Sequence, residues 1–97
     1  MATIETIKKR WKEHENTRFP LGVRGKTFGG LNPTLVQSNV SKYIITAINL
    51  EAPLSARLLD FMSVEVADLE KLISVLPEDA KGYYQEILGI AKDVMRL

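Results

Sequence analysis

The stretch PEDAKGYYQEILGIAKDVM, residues 77–95, contains the most regular apolar pattern of this sequence. Its apolar residues recur at intervals of four and three, the spacing of one face of an α-helix, at Ala80, Tyr84, Ile87, Ala91 and Val94. Pro77 ends any helix that precedes it, and the carboxylates of Glu78 and Asp79 suit the positive end of a helix dipole. These residues predict a final helix with one broad buried face.

The apolar face of this final helix is wider than the seam of a simple coiled coil, because further apolar residues flank it at Tyr83, Leu88, Ile90 and Met95. A stripe of this width can exceed what one small core buries. We therefore expect the chain to form a dimer or a larger assembly. The predicted oligomer interface consists of Tyr84, Ile87, Ala91 and Val94.

A second apolar stripe precedes Pro77, at Val66, Leu69, Leu72, Ile73 and Leu76. With Ser63 as its N-cap, this helix and the final one predict an antiparallel helical hairpin over residues 63–97.

Residues 33–62 predict central helices. Asn32 is a suitable N-cap, Pro33 suits the first helical position, and Pro53 can open a further helix. The apolar run at residues 42–50 is compatible with two secondary structures, a β-strand and an α-helix. Its Tyr, Ile and Thr residues favour a β-strand, while their spacing also fits a helix.

Residues 1–15 predict a basic amphipathic helix, with Thr3 as its N-cap and with Ile4, Ile7 and Trp11 on its apolar face. Residues 16–32 follow as a Gly/Pro loop that holds four of the six glycines. Connections this long without regular structure are often functional or mobile. The loop is therefore a candidate functional surface.

The length of 97 residues suits one domain, 1–97, and the 45% hydrophobic and 26% charged composition is that of a folded chain. We predict an all-α fold, a small bundle of four or five helices with a glycine-rich loop after the first helix. The chain has no cysteine and one histidine, which excludes disulfides, thiolate zinc sites and multi-histidine metal sites. No metal and no cofactor are predicted.

The opening residues lack the continuous apolar core of a secretory signal. The most apolar run, residues 43–50, is far shorter than the roughly 20 residues that cross a bilayer. We therefore expect a cytoplasmic protein without membrane insertion.

The net charge of +1 conceals an asymmetry, because residues 1–42 carry +5 and residues 43–97 carry −4. Such a chain can bind an acidic partner or nucleic acid with its basic end, or can neutralise itself within the fold or by association. The expected partner-binding surface consists of Lys8, Lys9, Lys12, Arg18, Arg24 and Lys26.

The single histidine, His14, lies four residues from both Arg10 and Arg18. On a continuous helix it would have cations beside it instead of the carboxylate that orients a general base. No serine has a recognisable base partner either. No catalytic residue is predicted, and the chain is not expected to be an enzyme.

Four short pieces of the central sequence are Gly30–Pro33, Asn39–Ser41, Ile48–Pro53 and Met62–Leu69. They resemble successive parts of the helix-turn-helix repressors of the Cro/C1 type. In that family a Val-Ser pair opens the recognition helix, so the resemblance implies Ser41, Lys42 and Thr46 as DNA contacts. The sequence departs from the family in the short span from Gly30 to Val40, which leaves little room for the first helix and the turn.

The sequence therefore predicts a non-catalytic protein–protein interaction module, an adaptor, assembly subunit or regulator that docks an acidic or helical partner. The alternative is a nucleic-acid-binding regulator that uses a degenerate helix-turn-helix or the basic loop.

Overall fold

The computed structural model describes residues 3–97, which form an all-helical bundle. Its four α-helices are α1 (Ile4–Glu15), α2 (Pro33–Leu50), α3 (Ala56–Val75) and α4 (Glu78–Met95), with one short 3₁₀ turn at Leu21–Val23. The prediction of an all-α bundle is confirmed. The first two residues of the predicted segment 1–15 lie outside the described residues.

The first two helices begin at the predicted caps. The Thr3 hydroxyl accepts from the Thr6 amide at 3.3 Å, and the Thr6 hydroxyl accepts from the Thr3 amide at 2.9 Å. This reciprocal pair satisfies two donors at the start of α1. At the start of α2, the Asn32 side chain accepts from the Leu35 amide at 3.2 Å, and Pro33 occupies the first helical position.

Residues 42–50 are helical, so the strand alternative is wrong. The inward residues of α2 recur at helical spacing and are all buried, at Val36, Val40, Tyr43, Ile44 and Ala47. Burying this face against the other helices outweighs the local β-propensity of the run. The helix ends at Glu51, whose φ of 53° places it in the left-handed region.

The predicted boundary between residues 62 and 63 is wrong, because α3 runs unbroken from Ala56 to Val75. Its N-cap is Ser55, which accepts from the Leu58 amide at 3.3 Å. Ser63 is instead internal and donates its hydroxyl to the Asp60 carbonyl at 2.7 Å, a bond that a serine within a helix can form. The C-terminal helical hairpin is present, but it starts at Ala56, and the bundle has four α-helices.

The final helix, α4, is the centre of the bundle and packs against the other three helices. Its apolar stripe is fully covered within one chain, because Tyr84, Ile87 and Ala91 are 0% exposed and Val94 is 1% exposed. The predicted oligomer interface at Tyr84, Ile87, Ala91 and Val94 is therefore wrong. Because α1, α2 and α3 all pack against α4, its apolar stripe is covered within one chain, and these four residues are not available to a second copy.

The loop at residues 16–32 is held onto the bundle. Val23 is buried at 1% exposure, and Phe28 and Leu31 exchange two backbone hydrogen bonds of 2.8 and 2.9 Å. Gly29 and Gly30 turn the chain between them with φ values of 57° and 80°, which glycine adopts without steric cost. A Cβ on Gly29 would also lie 3.2 Å from a methyl of Val75, so the loop approaches α3 closely.

We expect Ile87→Ala to lower the free energy of unfolding by about 2–5 kcal/mol, because it opens a cavity at the centre of the bundle. The matched control is Leu35→Ala on α2, where the side chain is 60% exposed and the change should stay within about 0.5 kcal/mol. Urea unfolding followed by circular dichroism measures both. Equal effects of the two substitutions would contradict the placement of α4.

Candidate functional site

An open groove of about 630 Å³ separates the first part of the loop from the N-terminal half of α4. The loop wall is formed by Thr17, Arg18, Phe19, Pro20, Leu21 and Gly22, and the helix wall by Asp79, Gly82, Tyr83 and Glu86. Gly82 leaves open space on the helix wall, since a Cβ there would meet nothing within 4 Å. The groove thus combines apolar side chains with one cation, Arg18, on the loop wall and two carboxylates, Asp79 and Glu86, on the helix wall.

Tyr83 is the centre of an aromatic cluster behind the groove. Its ring lies 4.5 Å from the ring of His14, 5.6 Å from that of Phe19 and 5.2 Å from that of Tyr84, measured between centroids. The contacts to Phe19 and Tyr84 are edge-to-face, an arrangement that aromatic rings favour. The cluster anchors the loop, because Phe19 belongs to the loop and its ring packs on Tyr83 of α4.

Gln37 of α2 ties the two tyrosines of α4 together. Its amide nitrogen donates to the Tyr83 hydroxyl at 2.8 Å, and its carbonyl accepts from the Tyr84 hydroxyl at 3.3 Å. Burial raises the pKa of both tyrosines above the ordinary value, so both hydroxyls keep their protons at neutral pH. The helix wall of the groove is therefore fixed from behind by α2.

His14 is 2% exposed and contacts a carboxylate, since its Nδ1 lies 2.5 Å from an oxygen of Glu86. The expectation that His14 has only cationic neighbours is wrong, because α1 packs against α4. Arg10, its expected neighbour, is itself paired with Asp93 of α4. Nothing in the local sequence around His14 could reveal this contact, because Glu86 is 72 residues away.

The second nitrogen of His14, Nε2, is buried and has no hydrogen-bond partner among residues 3–97. A ring enclosed in this way is out of reach of a substrate, so the pair with Glu86 positions α1 on α4. Among residues 3–97, no three side chains of His, Cys, Asp or Glu lie close enough together to hold a metal ion.

Five of the six predicted partner-binding cations are exposed and form no ion pair within the described chain, namely Lys9, Lys12, Arg18, Arg24 and Lys26. Arg18 lines the groove, and the Arg24 guanidinium lies 5.6 Å from the centroid of the Phe19 ring. The structure thus places Arg18 in the loop wall of the groove and Arg24 against the ring of Phe19 in that wall.

Lys8, the sixth predicted cation, is not free, because it pairs with Glu51 at the end of α2. The hydrogen bond between them raises the pKa of Lys8 and lowers the pKa of Glu51. Lys8–Glu51, Arg10–Asp93 and His14–Glu86 all join the basic part of the sequence to the acidic part. The fold therefore neutralises part of the charge asymmetry by itself.

The residues implied by the repressor resemblance lie in the middle of α2. Val40 is 0% exposed, and Ser41 follows it inside an unbroken helix that started at Pro33, so no recognition helix opens at Ser41. Lys42 is exposed, with its ammonium 5.1 Å from the centroid of the Tyr43 ring, and the Thr46 hydroxyl donates to the Lys42 carbonyl at 2.7 Å. The recognition helix that the resemblance implies at Ser41 is therefore wrong, because α2 runs unbroken from Pro33 to Leu50.

Comparisons with protein-family models, with curated protein sequences and with solved structures find no match to this chain. In the described residues, no helix combines the length and apolarity needed to cross a membrane.

We expect Glu86→Ala to lower the free energy of unfolding by about 1–3 kcal/mol, because it leaves Nδ1 of His14 buried without a partner. Glu86→Gln retains a hydrogen-bond acceptor near His14 and should lower the free energy of unfolding by less. Gln85→Ala, at the neighbouring exposed position on α4, is the matched control. Urea unfolding followed by the fluorescence of the single tryptophan measures the free energy of unfolding of the three variants. If Gln85→Ala lowers it as much as Glu86→Ala does, the pairing of His14 with Glu86 is contradicted.

We expect Glu51→Gln to destabilise the protein at neutral pH and to have no effect in acid. The pKa of Glu51 is lower in the folded protein, so its stabilising contribution exists above the unfolded pKa of about 4.3 and is lost as the pH falls through the folded value. Thermal unfolding of both proteins between neutral and acid pH measures this difference. Glu13→Gln, at an exposed position of α1, is the control, and a difference that persists in strong acid would exclude the ion pair as its source.

Proposed function

We propose that this chain is a non-catalytic protein–protein interaction module, an adaptor, assembly subunit or regulator, which binds an acidic segment of a partner in the groove between the loop and α4. The carrying observation is the placement of Arg18 and Arg24. Both are exposed, and neither forms an ion pair within residues 3–97. Arg18 lines the groove, and Arg24 lies over the ring of Phe19, a residue of the loop wall.

Unpaired cations beside an apolar groove suit a ligand that carries both acidic and apolar side chains. The apolar side chains would cover Leu21, which is 59% exposed, and the half-buried Phe19. The carboxylates would pair with Arg18 and Arg24 through charge-assisted hydrogen bonds. Lys9, Lys12 and Lys26 are also exposed, and their positive charges would attract an acidic partner to the protein at longer range.

The carboxylates of the helix wall determine how such a segment lies. Asp79 is exposed in the first turn of α4, and Glu86 is about half exposed while it contacts His14. Both would repel an acidic side chain on their side of the groove. The acidic edge of the partner therefore faces the loop, and its apolar or basic edge faces α4.

A non-catalytic role is supported by the position of His14. Catalysis by a histidine requires one ring nitrogen to reach the substrate, and both nitrogens of His14 are enclosed or occupied by Glu86.

Nucleic-acid binding through the basic loop is the second candidate, because the same unpaired cations would also contact phosphates. The two candidates differ in salt dependence and in the need for apolar contacts. Binding that depends on phosphates falls steeply with salt and needs no apolar side chain on the ligand.

The test uses three fluorescein-labelled probes and fluorescence anisotropy at low and high salt. The probes are a helical peptide of repeating Glu-Leu-Glu-Glu-Leu, the same peptide with lysine in place of glutamate, and a mixed-sequence DNA duplex. We expect the acidic peptide to bind. We expect the double substitution Arg18→Glu and Arg24→Glu to weaken it about tenfold or more through the loss of two charge-assisted contacts.

The control variant is Lys42→Glu, which changes an exposed cation on α2 outside the groove and should leave peptide binding unchanged. Preference for the lysine peptide, or an equal effect of Lys42→Glu, would overturn the proposal. Binding of DNA alone, lost at high salt, would favour the nucleic-acid candidate.

A further inference from the structure

The outward face of α3 carries a regular stripe that lies outside the core, although the loop approaches it at Val75, beside Gly29. Its positions recur at intervals of four and three, at Arg57, Phe61, Val64, Asp68, Lys71 and Val75. The core side of the same helix is formed by other residues, Met62, Val66, Leu69 and Leu72. The stripe therefore has the spacing of a helix-pairing seam and lies on the side of α3 away from the core.

Three apolar side chains of this stripe are exposed to solvent. Phe61 is 50% exposed, Val64 62% and Val75 44%, and they are three of the seven large hydrophobic side chains that are exposed within residues 3–97. The Arg57 guanidinium lies 5.8 Å from the centroid of the Phe61 ring. An apolar row of this kind on one helix is typical of a surface that packs against another helix.

The two charged residues at the centre of the stripe indicate what that second helix is. Asp68 and Lys71 have opposite charges, and neither forms an ion pair within the described part of the chain. Each residue could therefore form an ion pair with the other residue of a second chain. A second copy of α3 in antiparallel orientation would place Asp68 opposite Lys71 of the partner, and would do so twice about the two-fold axis.

The same register also matches two of the three exposed apolar residues, Val64 and Val75. Val64 precedes Asp68 by four residues, and Val75 follows Lys71 by four residues. When Asp68 lies opposite Lys71 of the partner, Val64 therefore lies opposite the partner's Val75. The seam then has two central layers of opposite charge with an apolar layer on each side.

We infer that the chain forms an antiparallel dimer through the outward face of α3. A parallel pair would place Asp68 against Asp68 and Lys71 against Lys71, and such like-charge contacts disfavour that orientation. The dimer goes beyond the proposed function, because this face shares no residue with the groove between the loop and α4. The contact extends over one helix and is small, so we expect weak association that depends on protein concentration.

Charge exchange tests this pairing. Sedimentation velocity over a concentration series should show concentration-dependent dimers of the wild-type chain. Asp68→Lys alone, or Lys71→Asp alone, should weaken association about tenfold, because each places like charges across the seam. The double variant Asp68→Lys and Lys71→Asp should restore it, since opposite charges face each other again.

The orientation can be tested with single cysteines, because the chain has none of its own. Under mild oxidation, a mixture of Val64→Cys and Val75→Cys chains should cross-link between the two variants. Either variant alone should cross-link far less. More efficient cross-linking of Val64→Cys with itself would indicate a parallel pair and overturn the proposal.

A wild-type chain that remains monomeric through the millimolar range also overturns the dimer, as does a double charge exchange that fails to restore association. Circular dichroism of each variant confirms that these exposed substitutions leave the helices intact. The groove variant with Arg18→Glu and Arg24→Glu should dimerise like the wild type. Loss of peptide binding and loss of dimerisation are therefore separate results.

Discussion

The width of the apolar face of α4 determines the arrangement of this bundle. One neighbouring helix can cover only part of such a face, so α1, α2 and α3 pack around it and bury Tyr84, Ile87, Ala91 and Val94 almost completely. A face that would suggest oligomerisation in an isolated helix is thus the core of the monomer. Any surface for partners has to lie elsewhere, on the loop or on the outer sides of the surrounding helices.

The edges of α4 connect this core to the candidate site. Asp93 and Glu86 pair with Arg10 and His14 and hold α1 in place, while Tyr83 receives Phe19 of the loop and a hydrogen bond from Gln37. The loop is therefore fixed against α4 by aromatic packing and leaves a groove beside it. The charges that remain unpaired after these contacts are those that the fold leaves available for a partner.

Local signals in the sequence predicted the helices well. Thr3 and Asn32 cap the helices they were expected to cap, and the four-and-three spacing after Pro77 corresponds to a buried face. The break at Ser63 was wrong because a serine that suits an N-cap also bonds within a helix. The partners of His14 and Arg10 depend on which helices pack together. Glu86 is 72 positions from His14 and Asp93 is 83 positions from Arg10, so the local sequence gives no signal of either contact.

Hydrogen exchange of the α4 amides at two protein concentrations tests the central claim most directly. If α4 is the core of the monomer, the amides of residues 84–94 exchange slowest in the chain, and their protection is the same in dilute and concentrated samples. Protection that appears only at high concentration would contradict this account, because α4 would then be covered by a second copy instead of by its own chain.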